Sequence, residues 1–235
     1  MKKLKAVTFS YDDGVTQDKR LVELFDKYGL KCTFNINSEL LGLDGALVRE
    51  GVTVTHIKNK PEEIKEIYRG HEVAVHTLTH PRLPTLDEAE VIRQVEEDRK
   101  NLSNLVGYEV VGMAYPCGGV NNDDRVAEII KNNTGVKYSR TITSNYSFDL
   151  QDGNLFRFNP TVYHHQEFDR AFELAREFIE LKTDTPKIFY IWGHAYEFDI
   201  YNNWDRMEEF CRLISGRDDI FYGTNKEVLL CHDWE

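Results

Sequence analysis

Apolar and polar positions along the chain follow two periods, one typical of buried strands and the other of amphipathic helices. Short apolar, β-branched or aromatic runs predict seven strands, at 6–9, 31–36, 72–75, 110–114, 135–139, 187–192 and 220–223. Helical periodicity predicts six helices, at 16–28, 61–68, 86–105, 123–132, 167–182 and 204–214, with 153–160 as a less regular loop. Buried strands that alternate with helices are typical of a parallel sheet. The pattern therefore predicts an α/β barrel or a doubly wound sheet.

Length and composition narrow the classes of protein that fit this pattern. The 235 residues contain no repeat and no Pro/Gly/Ser linker, which predicts a single domain over residues 1–235. A formal net charge of −11 disfavours nucleic acid and anionic membranes as partners. No stretch approaches the length of a membrane span, and no apolar region follows the basic N-terminus as in a signal peptide.

The spacing of the cysteines indicates the cellular compartment in which the protein is expected. The four cysteines form no C-x-x-C pair and are typical of free thiols in a reducing compartment. We therefore predict a cytoplasmic protein, although a secreted chain that had lost its leader would show the same pattern.

Two adjacent carboxylates, Asp12 and Asp13, follow the first predicted strand in the segment SYDDG at 10–14. Taken alone, this segment is typical of a turn. His76 and His80 follow the third predicted strand in HTLTH at 76–80, where their spacing lets both reach one point. Taken alone, the segment can equally be two polar surface histidines. Since the carboxyl ends of parallel strands share one edge, the combination predicts a metal site of two histidines and one carboxylate. The other carboxylate is then available as a base.

Two further segments follow predicted strands on the same edge. The segment AYPCGG at 114–119 is either an ordinary turn or a turn that directs a backbone N–H, such as that of Cys117, toward a developing oxyanion. The segment YIWGH at 190–194 ends a buried strand with His194. Such a histidine is often structural, but beside a metal it becomes a candidate general acid.

These segments, in this order, resemble the motifs of the polysaccharide deacetylases, the carbohydrate esterase family 4 or NodB-homology domain. SYDDG is similar to that family's Thr-Phe-Asp-Asp-Gly, HTLTH to its His-Ser/Thr-x-x-His, YPCG to its third motif, and IWGH to its last motif. The resemblance covers residues 7–194 at least. It implies a distorted (β/α)7-type barrel, with Asp13, His76 and His80 as ligands of one divalent metal ion. Zinc is the first candidate, and cobalt, nickel, manganese and iron are alternatives.

The resemblance also implies that Asp12 is the catalytic base, that His194 is the acid, and that Tyr115 and Trp192 contact the substrate. Two departures accompany it. The arginine of the family's third motif, which orients the base, falls on Ala114, and Arg140 is the candidate replacement. The fourth-motif aspartate that orients the catalytic histidine has no clear match.

Asp149, in the segment SFDL at 147–150, is the candidate for that fourth-motif role. A solvated loop aspartate is the alternative. Glu197 follows His194 closely and is a candidate to brace the same loop.

The function implied is metal-dependent removal of acetyl groups from N-acetylated sugars, and a carbohydrate or small acetylated compound is the partner. Three alternatives remain at this point: an O-acetyl esterase, an amide hydrolase acting on a small non-sugar substrate, and a non-catalytic glycan-binding module. The expected location favours a short soluble sugar over an insoluble polymer.

Overall fold

A curled parallel sheet with β1 at its centre organises the chain in the computed structural model, which describes residues 2–151, 153–165 and 167–234. The strands in chain order are β1 (Lys5–Asp12), β2 (Cys32–Ile36), β3 (Ala46–Arg49), β4 (Val52–Thr55), β5 (Glu72–Val75), β6 (Gly112–Ala114), β7 (Tyr138–Arg140), β8 (Val162–Tyr163), β9 (Lys187–His194) and β10 (Ile220–Tyr222). The sheet order is β7-β6-β5-β2-β1-β9-β8, and β10 pairs with the first half of β1.

The helices pack around this sheet. They are α1 (Asp18–Lys27), α2 (Ile64–Ile67), α3 (Glu88–Ile92), α4 (Asp98–Val106), α5 (Asp124–Asn133), α6 (Phe168–Glu180), α7 (Glu197–Ile200), α8 (Trp204–Ile214) and α9 (Asn225–Leu229). A π-helical segment, Arg93–Glu97, joins α3 to α4 into one long helix. No helix in the part of the chain that the structure describes is long and apolar enough to cross a bilayer.

The two edges of the sheet approach each other. Phe158 forms a parallel bridge with Arg140 at the end of β7, and a few residues later Val162 pairs with Ile191 of β9. The chain before β8 therefore spans the gap between β7 and β9, and the sheet curls into a barrel-like shape. The predicted α/β barrel class is confirmed, and each of the seven predicted strands corresponds to an observed one.

Side chains of β1 alternate between the barrel interior and the helices, as a strand requires. Ser10 and Asp12 point inward, where Asn35 of β2 donates hydrogen bonds to both, at 2.8 Å in each case. Phe9 points outward and packs against Phe25 of α1 at a ring-centroid distance of 4.7 Å. The inward positions in the second half of this strand are thus polar and lead to the carboxyl end of the sheet.

Asp13 breaks this alternation. Continued strand geometry would turn it away from Asp12, but its φ of 84° lies in the left-handed region, and both carboxylates line the same cavity. Gly14 follows with a φ of 64°, and a Cβ at this position would lie 2.8 Å from Cγ2 of Ile36. The backbone therefore favours glycine at position 14, whereas Asp13 holds a conformation that non-glycine residues rarely adopt.

The hairpin formed by β3 and β4 was not predicted from the sequence. Its strands pair antiparallel, with Leu47 opposite Val54, and these two are the only hairpin residues that are not exposed. Val48 is 73% exposed, so the local pattern shows no buried strand. The inner face, including Leu47 and Arg49, forms one wall of the cavity at the carboxyl end of the sheet.

We predict that Gly14→Ala lowers the free energy of unfolding by about 1–3 kcal/mol, because it combines a left-handed backbone with a contact against Ile36. Gly29→Ala is the matched control, since Gly29 has a φ of 65° but no atom lies within 4 Å of the place that its Cβ would take. Urea unfolding of both variants measures the difference. Equal destabilisation would show that the contact with Ile36 contributes nothing.

Candidate active site

A cavity of about 630 Å³ opens at the carboxyl ends of the central strands, where ligands gather in such folds. Eight of the eleven candidate side chains named from the sequence line it: Asp12, Asp13, His76, His80, Tyr115, Cys117, Trp192 and His194. Arg140 and Glu197 are buried beside Asp12 and His194, and Asp149 lies elsewhere. Motifs that are far apart in the sequence thus lie close together at one edge of the sheet.

Asp13, His76 and His80 converge on one point. One ligand atom of each lies within 4.8 Å of the others. Oδ1 of Asp13 is 4.0 Å from Nε2 of His76 and 3.7 Å from Nε2 of His80. Nδ1 of His76 donates to the Ala114 carbonyl at 2.9 Å, which leaves Nε2 unprotonated in the neutral ring and available as a ligand.

The protonation states of this triad suit a divalent cation. Burial lowers the pKa of His76 to about 4 and also lowers the pKa of His80, so both rings are neutral near pH 7. Burial alone would raise the pKa of Asp13, but the Lys58 ammonium and a hydrogen bond from His56 outweigh it and hold that pKa well below its usual value. Two neutral imidazoles and one carboxylate fit the donor set of catalytic zinc and related ions.

Strained backbone is concentrated around this triad. His80, Thr77 and Cys117 have φ values of 61°, 69° and 71°, all in the left-handed region that non-glycine residues rarely adopt. Together with Asp13 they border the same cavity or support its ligands. Such conformations persist only where surrounding contacts hold them, and they occur most often at functional sites.

Asp12 is held by a buried arginine. Nη2 of Arg140 donates to both oxygens of Asp12 at 2.5 Å, and the Arg140 side chain is completely buried. Oδ1 of Asp12 also accepts from Asn35, whereas Oδ2 has Arg140 as its one protein donor among the described residues. Oδ2 therefore keeps a lone pair that can take a proton from the cavity.

The register of the sheet explains the displaced arginine. Ala114 of β6 is paired directly with Arg140 of β7. The position where the family resemblance implies an arginine is thus occupied by a small side chain, and the guanidinium comes from the adjacent strand instead. Arg140 reaches the carboxylate that the displaced arginine would have contacted.

His194 is held by Glu197, three residues later in α7. Nδ1 of His194 lies 2.9 Å from Oε1 of Glu197, and the His194 amide donates to Oε2 at 3.0 Å. Burial alone would lower the pKa of His194, but the Glu197 carboxylate outweighs it and raises that pKa. His194 is therefore a protonated, oriented imidazolium at the edge of the cavity.

Glu197 is itself held by neighbours that the sequence did not indicate. The Tyr163 hydroxyl donates to Oε1, and Nε2 of His164 lies 3.8 Å from Oε2. Glu197 is 1% exposed, so its charge is stabilised by these groups and by His194 rather than by water.

Asp149 does not orient His194, so the hypothesis for this residue was wrong. It is exposed and forms an ion pair with Lys187, the first residue of β9. His194 is the last residue of the same strand, roughly 23 Å away at the rise of an extended chain. Glu197 occupies the place beside His194 for which Asp149 was considered.

The remaining candidates border the cavity in different ways. The Tyr115 hydroxyl donates to the Phe156 carbonyl at 2.7 Å, so the ring is fixed. Tyr163 stacks on Trp192 at 4.2 Å and the Arg140 guanidinium lies 4.4 Å from the same ring centre, which covers both faces of Trp192. Trp192 thus offers an edge, and no face, to a substrate.

Cys117 lies beside His80, with Sγ at 3.4 Å from the His80 carbonyl. Among residues 2–151, 153–165 and 167–234, no oxygen accepts a hydrogen bond from the Cys117 amide. The geometry leaves this N–H available, which the oxyanion hypothesis requires.

The sequence reasoning also missed His56 and Lys58, which follow the hairpin and contact Asp13. Nε2 of His56 is 3.2 Å from Oδ2 of Asp13, and Nζ of Lys58 is 2.6 Å from the Asp13 carbonyl. The two residues lie in a segment with no motif and no clear periodicity, so no local signal could have identified them.

Comparison with known proteins agrees with this arrangement. Residues 2–138 match the family model for polysaccharide deacetylases, and the chain belongs to this family. Chitin deacetylase 1 of Cryptococcus neoformans var. grubii is 26% identical over 122 residues, which are 51% of this chain and 22% of that protein. The peptidoglycan-N-acetylglucosamine deacetylase PgdA of Listeria monocytogenes is 25% identical over 128 residues, which are 54% of this chain and 24% of that protein.

A solved structure extends the likeness to nearly the whole chain. The chitin deacetylase of Colletotrichum lindemuthianum matches with a TM-score of 0.58 and 18% identity, over 97% of this chain and 90% of that one. At this identity the likeness shows a shared fold. The aligned part of the chain spans less than a quarter of the two curated relatives.

We predict that Glu197→Gln shifts the alkaline limb of the kcat–pH profile to lower pH by about one to three units. An acid catalyst works while protonated, so activity falls as pH rises through its pKa, and removal of the Glu197 charge lowers the pKa of His194. Measuring kcat across pH for the wild type and for Glu197→Gln gives the shift.

Asp149→Asn is the control for this experiment, since Asp149 pairs with Lys187 and lies far from His194. Its profile should match that of the wild type. A shifted limb in Asp149→Asn together with an unshifted limb in Glu197→Gln would contradict the assignment.

Proposed function

We propose that the protein is a metal-dependent hydrolase that removes acetyl groups from N-acetylated sugars, with zinc as the first candidate ion. One observation carries the proposal: a single cavity brings together a ligand triad, a held carboxylate and a held imidazolium. These are the Asp13–His76–His80 cluster, the Asp12–Arg140 pair and the His194–Glu197 pair. Family membership supports the same activity.

Asp13, His76 and His80 would hold the metal ion. A divalent ion in such a site polarises a carbonyl oxygen and lowers the pKa of a water molecule. With three protein ligands, such an ion would keep coordination positions open for water and substrate, as catalytic sites require.

The other side chains carry the proton transfers. Asp12 takes a proton through Oδ2 from the water that attacks the acetyl carbon, and Arg140 and Asn35 hold its carboxylate in place. The Cys117 amide stabilises the negative charge that develops on the carbonyl oxygen. His194 then donates a proton to the leaving nitrogen as the C–N bond breaks, and acetate and a free amine result.

The His194–Glu197 pair favours an amide over an ester. An amine is a poor leaving group until its nitrogen is protonated, whereas an alcohol leaves an ester with less assistance. A buried carboxylate 2.9 Å from Nδ1 keeps His194 charged and fixes the direction of its other nitrogen. A non-catalytic glycan-binding module would have no use for such a proton donor.

The size of the cavity supports a short substrate. About 630 Å³, with one wall formed by the hairpin, is typical of a small-molecule pocket. We therefore propose a short soluble N-acetylated sugar, and the two curated relatives are named for chitin and for peptidoglycan N-acetylglucosamine. The cytoplasmic location stays a prediction.

Acetate release from a panel of substrates tests the proposal. The panel contains N-acetylated mono- to tetrasaccharides, an O-acetylated sugar, insoluble chitin and peptidoglycan, each with chelated and zinc-restored enzyme. We expect metal-dependent release, with higher kcat/KM on the short N-acetylated sugars than on the other substrates. Release from the O-acetylated sugar alone would establish an esterase, and no release from any member would contradict the deacetylase assignment.

We predict that Asp12→Asn and Asp13→Asn fail in different ways. Asp12→Asn should retain zinc and lose about a hundredfold or more in kcat, because a general base is removed. Asp13→Asn should lose zinc as well, because a ligand is removed. Elemental analysis alongside kinetics separates the two, and equal loss of zinc in both variants would show that the two roles are misassigned.

A further inference from the structure

A short segment after β4, residues 56–59, packs along the loop that carries the adjacent carboxylates. We call this segment the strap. The Thr16 amide donates to the Ile57 carbonyl at 2.8 Å, and the Asn59 amide donates to the Gly14 carbonyl at 2.8 Å. The Asn59 side chain also donates to the Val15 carbonyl at 2.8 Å. The strap is therefore fixed to the backbone on the C-terminal side of Asp13.

Two side chains of the strap reach Asp13 itself. Nζ of Lys58 donates to the Asp13 carbonyl at 2.6 Å and lies 3.5 Å from Oδ1. Nε2 of His56 lies 3.2 Å from Oδ2. Lys58 is 6% exposed, so its contact with the left-handed backbone of Asp13 is a buried one.

The two oxygens of the Asp13 carboxylate have different neighbours. Oδ1 faces the imidazoles of His76 and His80, at 4.0 and 3.7 Å, with the Lys58 ammonium 3.5 Å away. Oδ2 faces His56, whose ring also packs edge-on against Tyr196 at a centroid distance of 5.1 Å. A carboxylate can ligate through either oxygen or both, and here one oxygen is directed toward the triad while the other has its own hydrogen-bond donor.

We propose that His56 is a positioning residue for the metal centre: it donates to Oδ2 of Asp13 and thereby fixes Oδ1 as the oxygen that faces His76 and His80. The inference rests on the proposed metal dependence. Groups that hydrogen-bond to a metal ligand orient it, and their loss commonly weakens metal binding by about 10–100-fold. His56 acts through Asp13 and does not contact the reacting atoms.

Zinc affinity measured by chelator competition tests this role without reference to turnover. His56→Phe keeps a ring but has no donor, and we expect its Kd for zinc to rise by about 10–100-fold. His56→Gln keeps an N–H that can reach Oδ2, and its Kd should stay within about fivefold of the wild type because the hydrogen bond remains. His232→Phe removes an imidazole near the C-terminus, where His232 packs against Trp234, and controls for nonspecific binding by histidine.

The visible spectrum of the cobalt-loaded protein gives a second readout. It should change in His56→Phe, because the geometry of the ligands changes, and should be preserved in His56→Gln. Thermal unfolding without metal checks that each variant is folded, and His56→Leu serves as a second donor-free variant in case His56→Phe does not fold.

The possible failures of this experiment are distinct. A His56→Phe affinity within twofold of the wild type would overturn the role of His56, as would equal weakening in His56→Phe and His56→Gln. A wild-type protein that binds none of zinc, cobalt, nickel, manganese and iron would instead contradict the proposed function, whatever the variants do.

Discussion

The left-handed backbone of Asp13 is the constraint on which the site depends. A strand directs consecutive side chains to opposite faces, so two adjacent aspartates at the end of β1 would ordinarily point to opposite sides of the sheet. The φ of 84° at Asp13 brings its carboxylate into the cavity that Asp12 already faces. A left-handed non-glycine residue costs about 1–2 kcal/mol, and the hydrogen bonds that Asp13 makes to Asn35 and Lys58 through its backbone hold it there.

Each buried carboxylate in the site has its own partner. Asp12 pairs with Arg140, Asp13 contacts Lys58 and the histidines, and Glu197 pairs with His194. A buried charge is costly unless it is paired and hydrogen-bonded, so three anions in one region require three separate sets of donors. This separation gives neighbouring groups different chemistry. One carboxylate is available to a metal, one retains a lone pair for a proton, and one maintains an imidazolium.

The sequence was informative where function depends on the ends of strands. The two carboxylates, the two histidines of HTLTH and His194 each follow an apolar run, and their convergence follows from the parallel sheet alone. The seven strands were predictable from short apolar, β-branched or aromatic runs, most of which are buried in the fold. The hairpin was not, because six of its eight residues are exposed and Val54 alone is buried in the core.

Side-chain partners that are set by how strands pair could not be predicted from local sequence patterns. Arg140 could be named as a substitute, but its position opposite Ala114 is a property of how β6 pairs with β7. The hypothesis for Asp149 was wrong because this loop residue pairs with Lys187 at the start of β9, whereas His194 lies at its end. His56 reaches Asp13 because the chain after the hairpin packs along the loop at 13–16. No pattern in the sequence indicates this packing.

The central claim is that adjacent carboxylates have separate roles, Asp13 in binding the metal and Asp12 in moving the proton. Anomalous diffraction from crystals of the zinc-loaded protein tests it most directly. The account predicts one peak at about 2.0–2.2 Å from Oδ1 of Asp13 and from Nε2 of both His76 and His80, with Asp12 outside the coordination sphere and still bonded to Arg140. A zinc ion bridged by Asp12 and Asp13, or one bound through Asp12 alone, would contradict it.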